Sequence, residues 1–218
     1  MKFALLVPFC IAIQHPIVEN ERSPCPAMNT LANEGYIPSS GKSIDLQVLK
    51  SSLTTVYGFS PSLAGTLINN LGDLLNSDGT LDLASLRKHN AIEHDVSLVH
   101  DDTGLGPNWI INQTLLNQLV QGKTELTVKD VGQFLKQRKI DCKKYDKEFS
   151  FTLKQEFAGL VEASTLFTVF GDDKKVNASD VFEFLGNERL PKGYIPRKDN
   201  LISIVESTRV ALSIKWYT

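Results

Sequence analysis

The sequence predicts a mainly α-helical single domain. Three observations carry that prediction: apolar residues recur at helical spacing along most of the chain, the segments so marked run between capping residues and Gly- or Pro-rich turns, and no strand-type alternation of useful length appears. With 218 residues, 42% hydrophobic and 22% charged, the chain has the composition of a globular domain large enough to bury its own core. Lys and Arg number 23 against 25 Asp and Glu, and the resulting net charge of −2 provides no basic field for a nucleic acid partner. Three cysteines cannot build a disulfide framework.

The elements follow in chain order. Lys2 precedes an apolar run from Phe3 to Ile13, which is shorter than the ~20 residues a bilayer span needs and suits the core of a secretory signal. The expected division is a signal over residues 1–14 and a domain over 15–218, with cleavage between Ile13 and Asn20 and an uncut anchor as the alternative. The sequons Asn112-Gln113-Thr114 and Asn177-Ala178-Ser179 fit a secreted, extracellular protein without a membrane partner. Ser23 to Gly35 predicts a short helix, with Pro26 at its first position and Gly35 just past its end. Helical patterns follow over Ile44–Val56, Pro61–Leu75, Trp109–Val120, Lys154–Phe170 and Ser179–Leu185. Another begins at Thr127, with Asp130 three residues on as in a capping box, and continues through Val128, Val131, Phe134 and Leu135. The tail, Leu201 to Thr218, is apolar enough to dock as a strand or a helix, and its pattern does not decide which.

Three places carry chemistry. Cys25 falls at the N-cap of the first helix, where the positive end of the dipole and unpaired N–H groups favour a thiolate, either a nucleophile or a metal ligand; the alternative is a small residue that starts a helix. The segment from His89 to Asp102 holds three of the chain's four histidines. Its Glu93, Asp95 and Ser97 are hard oxygen donors, and its imidazoles can bind Zn²⁺ or move protons; a solvated polar turn is the alternative. Asn76-Ser77-Asp78-Gly79 imitates the middle of a calcium loop, but Leu74 and Ser85 stand where its end acids belong. Glu162 lies on a helix with Ala158, Gly159, Leu166 and Val169 on the same face, so its carboxyl is either buried with a raised pKa or exposed across the stripe of Phe157, Leu160 and Val161.

Taken in order, three motifs resemble the fungal haem-thiolate peroxidase family, that is, chloroperoxidase and the short unspecific peroxygenases. They are Pro24-Cys25-Pro26 with Asn29-Thr30-Leu31-Ala32-Asn33 and Gly35-Tyr36-Ile37-Pro38, then Glu93-His94-Asp95 with Ser97, then Glu162-Ala163 leading to Val169-Phe170-Gly171-Asp172. Asp78-Gly79-Thr80 and Glu188-Arg189-Leu190-Pro191 agree as well, and the resemblance covers residues 23–195. It implies the helical haem-thiolate peroxidase fold, with haem b as cofactor and the Cys25 thiolate as proximal iron ligand. It implies Glu162 as the distal acid–base group, oriented by His94 with Asp95 steadying the imidazole. It also implies Mg²⁺ or Mn²⁺ beside a haem propionate, held by Glu93, the His94 carbonyl and Ser97. The partners so implied are H₂O₂ and small organic substrates, with peroxygenation, one-electron oxidation and halide oxidation as possible outcomes. The chain departs from the family where Glu34 replaces a common His and where Val99-His100 replaces Ser-Arg. Two other readings remain at this stage: a haem-binding protein without turnover, and a metal-dependent hydrolase built on His94-Asp95 and His100-Asp101. A monomer is expected, or a dimer linked through Cys142.

Overall fold

The computed structural model describes residues 21–218, so the expected signal segment and its cleavage site lie outside the described residues. Helix α1 (Pro26–Asn33) starts on proline and carries Cys25 at its N-cap, and seven of its eight residues are buried. Glu34 closes it, and Gly35 follows at φ 77°, a left-handed conformation that glycine adopts without a side-chain clash.

Helices α2 (Leu46–Tyr57) and α3 (Pro61–Asn69) are capped by Asp45 and Ser60, whose side chains accept from backbone N–H groups of the first turn. The pattern over Pro61–Leu75 is therefore split: α3 stops at Asn69, and Gly72 at φ 45° opens a separate 3₁₀ turn over Gly72–Leu74. The helix expected from Trp109 begins later, as α4 (Gln113–Val120), because Asn112 accepts from the N–H groups of Thr114 and Leu115 and fixes the start.

Two three-residue strands, β1 (Glu125–Thr127) and β2 (Lys175–Asn177), pair antiparallel with Leu126 opposite Val176. They are too short to show as alternation in the sequence. Each runs directly into a helix: β1 into α5 (Val128–Tyr145), and β2 into α7 (Ala178–Val181), which continues as a π-helical turn over Phe182–Gly186. The capping box at Thr127 and Asp130 forms, and a second one at Thr152 and Gln155 starts α6 (Leu153–Phe170). The undecided tail becomes α8 (Ile204–Lys215), capped by Ser203, and packs along α6 and against α5. One hydrophobic cluster runs from Met28 in α1 to Ile214 in α8, with Tyr57 and Phe167 fully buried inside it. Between Lys88 and Asn112 the chain forms neither α-helix nor strand, and this loop meets α6 at Glu162 and Gly159 and α5 at Arg138.

Candidate active site

Cys25 is half-buried at the mouth of α1. A hydrogen-bonded frame holds this end of the chain. Asn29 accepts from the Ser23 N–H (2.8 Å) and from its hydroxyl (2.9 Å), and its amide donates to Glu188 Oε1 (2.6 Å). Asn33 reaches the Glu188 carbonyl at 3.2 Å, and Arg189 donates to the Asn33 carbonyl at 2.8 Å. Two stretches more than 150 residues apart are thereby tied together around the thiol-bearing turn. Tyr57 adds a hydroxyl bond of 2.7 Å to the Ala27 carbonyl.

Burial pushes the Cys25 thiol up to about 11; the amides of Met28 and Ala27 pull it back in part, while Glu162 and Glu188 add to the rise. The helix end alone was expected to favour a thiolate. In the structure, burial works against that preference, and a bound cation would work with it. Glu34, the family departure beside α1, faces Arg189 at 3.5 Å, which compensates its charge.

Glu162 projects from the middle of α6. Its side chain keeps 21% exposure, yet both carboxylate oxygens are inaccessible and have no hydrogen-bond partner among the described residues. Burial raises its pKa, against the pull of His94 and Arg138. The Glu162 carboxyl is near enough to Cys25, which sits at the start of a different helix, for its charge to help raise the thiol's pKa.

His94 stands next to that carboxyl. Its Nδ1 lies 2.8 Å from the Asp95 carbonyl, which can only accept, so Nδ1 carries the hydrogen and Nε2 is turned toward Glu162. The Nε2 to Oε2 separation is 3.6 Å, too long for a hydrogen bond and within reach of one after a small side-chain movement. Asp95 therefore holds the imidazole through its backbone, while its carboxylate accepts from the Ser150 N–H at 2.8 Å. Gly159 makes room for the ring: a Cβ there would lie 3.1 Å from His94 Cε1.

Glu93 is buried and bonds through Oε2 to His89 Nδ1 (2.9 Å), while Oε1 accepts from the Thr103 hydroxyl (3.2 Å). Ser97 is buried, and its carbonyl accepts from Arg138 at 3.2 Å. Val96 between them sits at φ 67°, unfavourable for a β-branched residue, and is held there by a 2.9 Å bond from its N–H to Asp102 Oδ1. His100 does not join His94 in any ligand cluster among the described residues. It is fully buried, both ring nitrogens lack partners, and burial pulls its pKa down to about 4. This corrects the hydrolase reading, which needs His94 and His100 side by side. Cys142 is also fully buried, in α5, so a disulfide to a second chain through it is sterically closed.

Sequence reasoning missed Arg138 and Asp146, and it missed the pairings of Asn29 with Glu188 and of Asp102 with Arg138, whose members it met only in separate segments far apart along the chain.

The aromatic peroxygenase of Coprinellus radians is 28% identical over 179 residues, covering 70% of this chain and 67% of that protein. The chloroperoxidase of Leptoxyphium fumago is 28% identical over 172 residues, covering 70% of this chain and 46% of that protein. The aromatic peroxygenase of Cyclocybe aegerita is 26% identical over 217 residues, covering 84% of this chain and 58% of that protein. The chain thus spans between about half and two thirds of the length of these relatives. The family profile described as Peroxidase, family 2 matches residues 11–199, and with most of the sequence inside that match the chain belongs to this family.

Proposed function

We propose that the chain is a haem-thiolate peroxygenase that uses H₂O₂ to oxygenate or oxidise small organic substrates. The observation that carries this reading is a buried Glu162 carboxyl, unbonded and backed by His94, near enough to the Cys25 thiol for its charge to act on it. Family membership and the names of the relatives support it.

The residues fit a thiolate-bound haem b on two counts. Cys25 offers sulfur at a helix N-terminus, where the amides of Met28 and Ala27 favour its charged form once iron displaces the proton. Glu162 offers two oxygens that nothing in the protein satisfies. When bound, haem supplies the iron that takes up peroxide and passes an oxygen to substrate, with a thiolate ligand favouring O–O cleavage.

The protein's own contribution is proton handling. Glu162 takes the proton from the peroxide oxygen that reaches the site and gives it to the oxygen that leaves, a transfer that its raised pKa brings nearer to neutral pH. The His94 Nδ1 bond to Asp95 fixes the tautomer, so Nε2 faces Glu162 and holds the carboxyl in line between the two transfers. Glu93 keeps lone pairs beyond the two bonds it accepts, and with the His94 carbonyl and Ser97 it forms a set suited to Mg²⁺ or Mn²⁺. Among the described residues no helix is long and apolar enough to cross a membrane. Secretion with a glycan on Asn177 accords with that residue's exposure; Asn112 is engaged in capping α4 and in a 2.8 Å bond to Asp101.

The test is oxygen tracing. Haem-loaded protein given ¹⁸O-labelled H₂O₂ and an aromatic substrate should yield a hydroxylated product carrying the label. Product without label, or no turnover despite bound haem, contradicts the reading; the second result would leave a haem-binding protein without turnover.

A further inference from the structure

Beside the His94 loop, three aspartates converge that no part of the proposed reaction uses as acids. Asp95 and Asp102 come from the loop, and Asp146 from the C-cap of α5; carboxylate oxygens of the three lie within 4.8 Å of one another. Their exposures are 0%, 1% and 5%. Each carboxylate commits one oxygen to protein donors. Asp95 Oδ2 accepts from the Ser150 N–H at 2.8 Å, and Asp146 Oδ1 accepts from the Glu148 N–H at 2.7 Å. Asp102 Oδ1 accepts from the Val96 N–H and from Arg138 Nη2, each at 2.9 Å.

The second oxygen of each tells the rest. Asp95 Oδ1, Asp102 Oδ2 and Asp146 Oδ2 are all buried and without a hydrogen-bond partner among the described residues. Buried polar atoms are almost always bonded, and three orphans of one chemical type in one cluster mark a missing partner rather than scattered imperfection. Charge points the same way. Three carboxylates share this site with the guanidinium of Arg138, with His89 beside Asp95, and crowding carboxylates where water is excluded is costly unless a cation answers them. The loop is also shaped to close on this cluster: a Cβ on Gly104 would lie 2.0 Å from Asp146 Oδ1.

We propose that Asp95, Asp102 and Asp146 bind a hard divalent cation, Ca²⁺, Mg²⁺ or Mn²⁺, through these three oxygens, with water completing its shell. The all-oxygen donor set excludes a preference for softer metals. Asp102 and Asp146 lie apart from the Glu93, His94 and Ser97 set, since Glu93 bonds His89 and Thr103, whereas Asp95 adjoins both, its carboxylate lying within 4.8 Å of the Glu93 and His89 ligand atoms. It also gives the loop a purpose. A cation on the Asp95 side chain anchors the residue whose carbonyl orients His94, so metal binding and the aim of the imidazole are linked through one residue.

The experiment uses the haem-loaded full chain, stripped with a chelator and titrated calorimetrically with CaCl₂, MgCl₂ or MnCl₂ alone, with metal content measured by mass spectrometry. Wild type should bind, and Asp146→Asn should hold one cation fewer per chain with affinity at that site reduced at least tenfold. This substitution leaves the Arg138–Asp102 pair intact. Glu93→Gln should retain the cation that Asp146→Asn loses. Wild-type melting temperature should rise on metal addition by several degrees more than that of Asp146→Asn. Wild type that binds none of the three ions up to about 1 mM, a range that includes weak extracellular calcium sites, overturns the proposal. So does unaltered binding in Asp146→Asn, or loss of every cation in Glu93→Gln with full binding in Asp146→Asn. Because binding is read directly, failure here leaves the oxygen-tracing result untouched.

Discussion

Replacing Glu162 by glutamine keeps the volume and polarity of the side chain and removes only its ability to carry the proton. The position makes this a clean perturbation. Both carboxylate oxygens are already without hydrogen-bond partners and His94 Nε2 stands off at 3.6 Å, so no existing hydrogen bond is broken. Stability should change little, within about 1 kcal/mol, since a buried unbonded amide replaces a buried carboxyl whose charged form burial already disfavours. General acid–base catalysis contributes ~10²–10⁴-fold, so the barrier should rise by about 3 to 5 kcal/mol. The assay is stopped-flow mixing of haem-loaded protein with H₂O₂, with haem content and melting temperature measured on the same sample. A rate loss below about tenfold would refute the proton-transfer role. Loss of haem or a large drop in melting temperature would show that Glu162 holds structure instead.

Three further predictions address its surroundings. His94→Ala should slow the same step by less than Glu162→Gln does, because it removes orientation while the acid remains; stopped-flow rates of the two variants, compared directly, check the ranking. Gly159→Ala should raise the melting temperature slightly, as alanine favours the helix by ~1 kcal/mol, yet lower kcat, because the new methyl presses on His94 from 3.1 Å; unchanged kcat would mean the ring's position is immaterial. Glu188 is held by burial at about 7, above its usual 4.5. The unfolded chain therefore loses this proton first, so stability falls as pH rises from 4.5 to about 7 and then levels, a loss of about 3 kcal/mol at most. Glu188→Gln should flatten that part of the stability curve in urea unfolding at a series of pH values.

Local signals were legible in the sequence, and tertiary ones were not. The capping box at Thr127, and Pro26 next to Cys25, act within a few residues, so these helix starts could be read from chemistry that lies side by side; the box at Thr152 is equally local and was not read. Endings were harder, because α3 stops where Gly72 and the chain beyond it turn away, although Leu71 and Leu74 continue the apolar pattern as buried core. The site divided along the same line. Cys25, His94 and Glu162 stood out one by one. What surrounds them is set by residues distant in sequence: Asn29 bonds Glu188 across 159 positions, and Arg138 bonds Asp102 across 36. The burial of Cys25, which opposes the pull of the helix end on its thiol, was likewise not visible in sequence.

The most direct test of the central claim, that Cys25 presents its sulfur to haem iron, is the absorption spectrum of the reduced carbon monoxide complex. Wild type should show the strongly red-shifted band of thiolate ligation, and Cys25→Ser should lose that band, because a serine hydroxyl stays protonated and binds iron weakly. A thiolate band that persists in Cys25→Ser, or wild-type protein that takes up haem without one, would contradict the assignment.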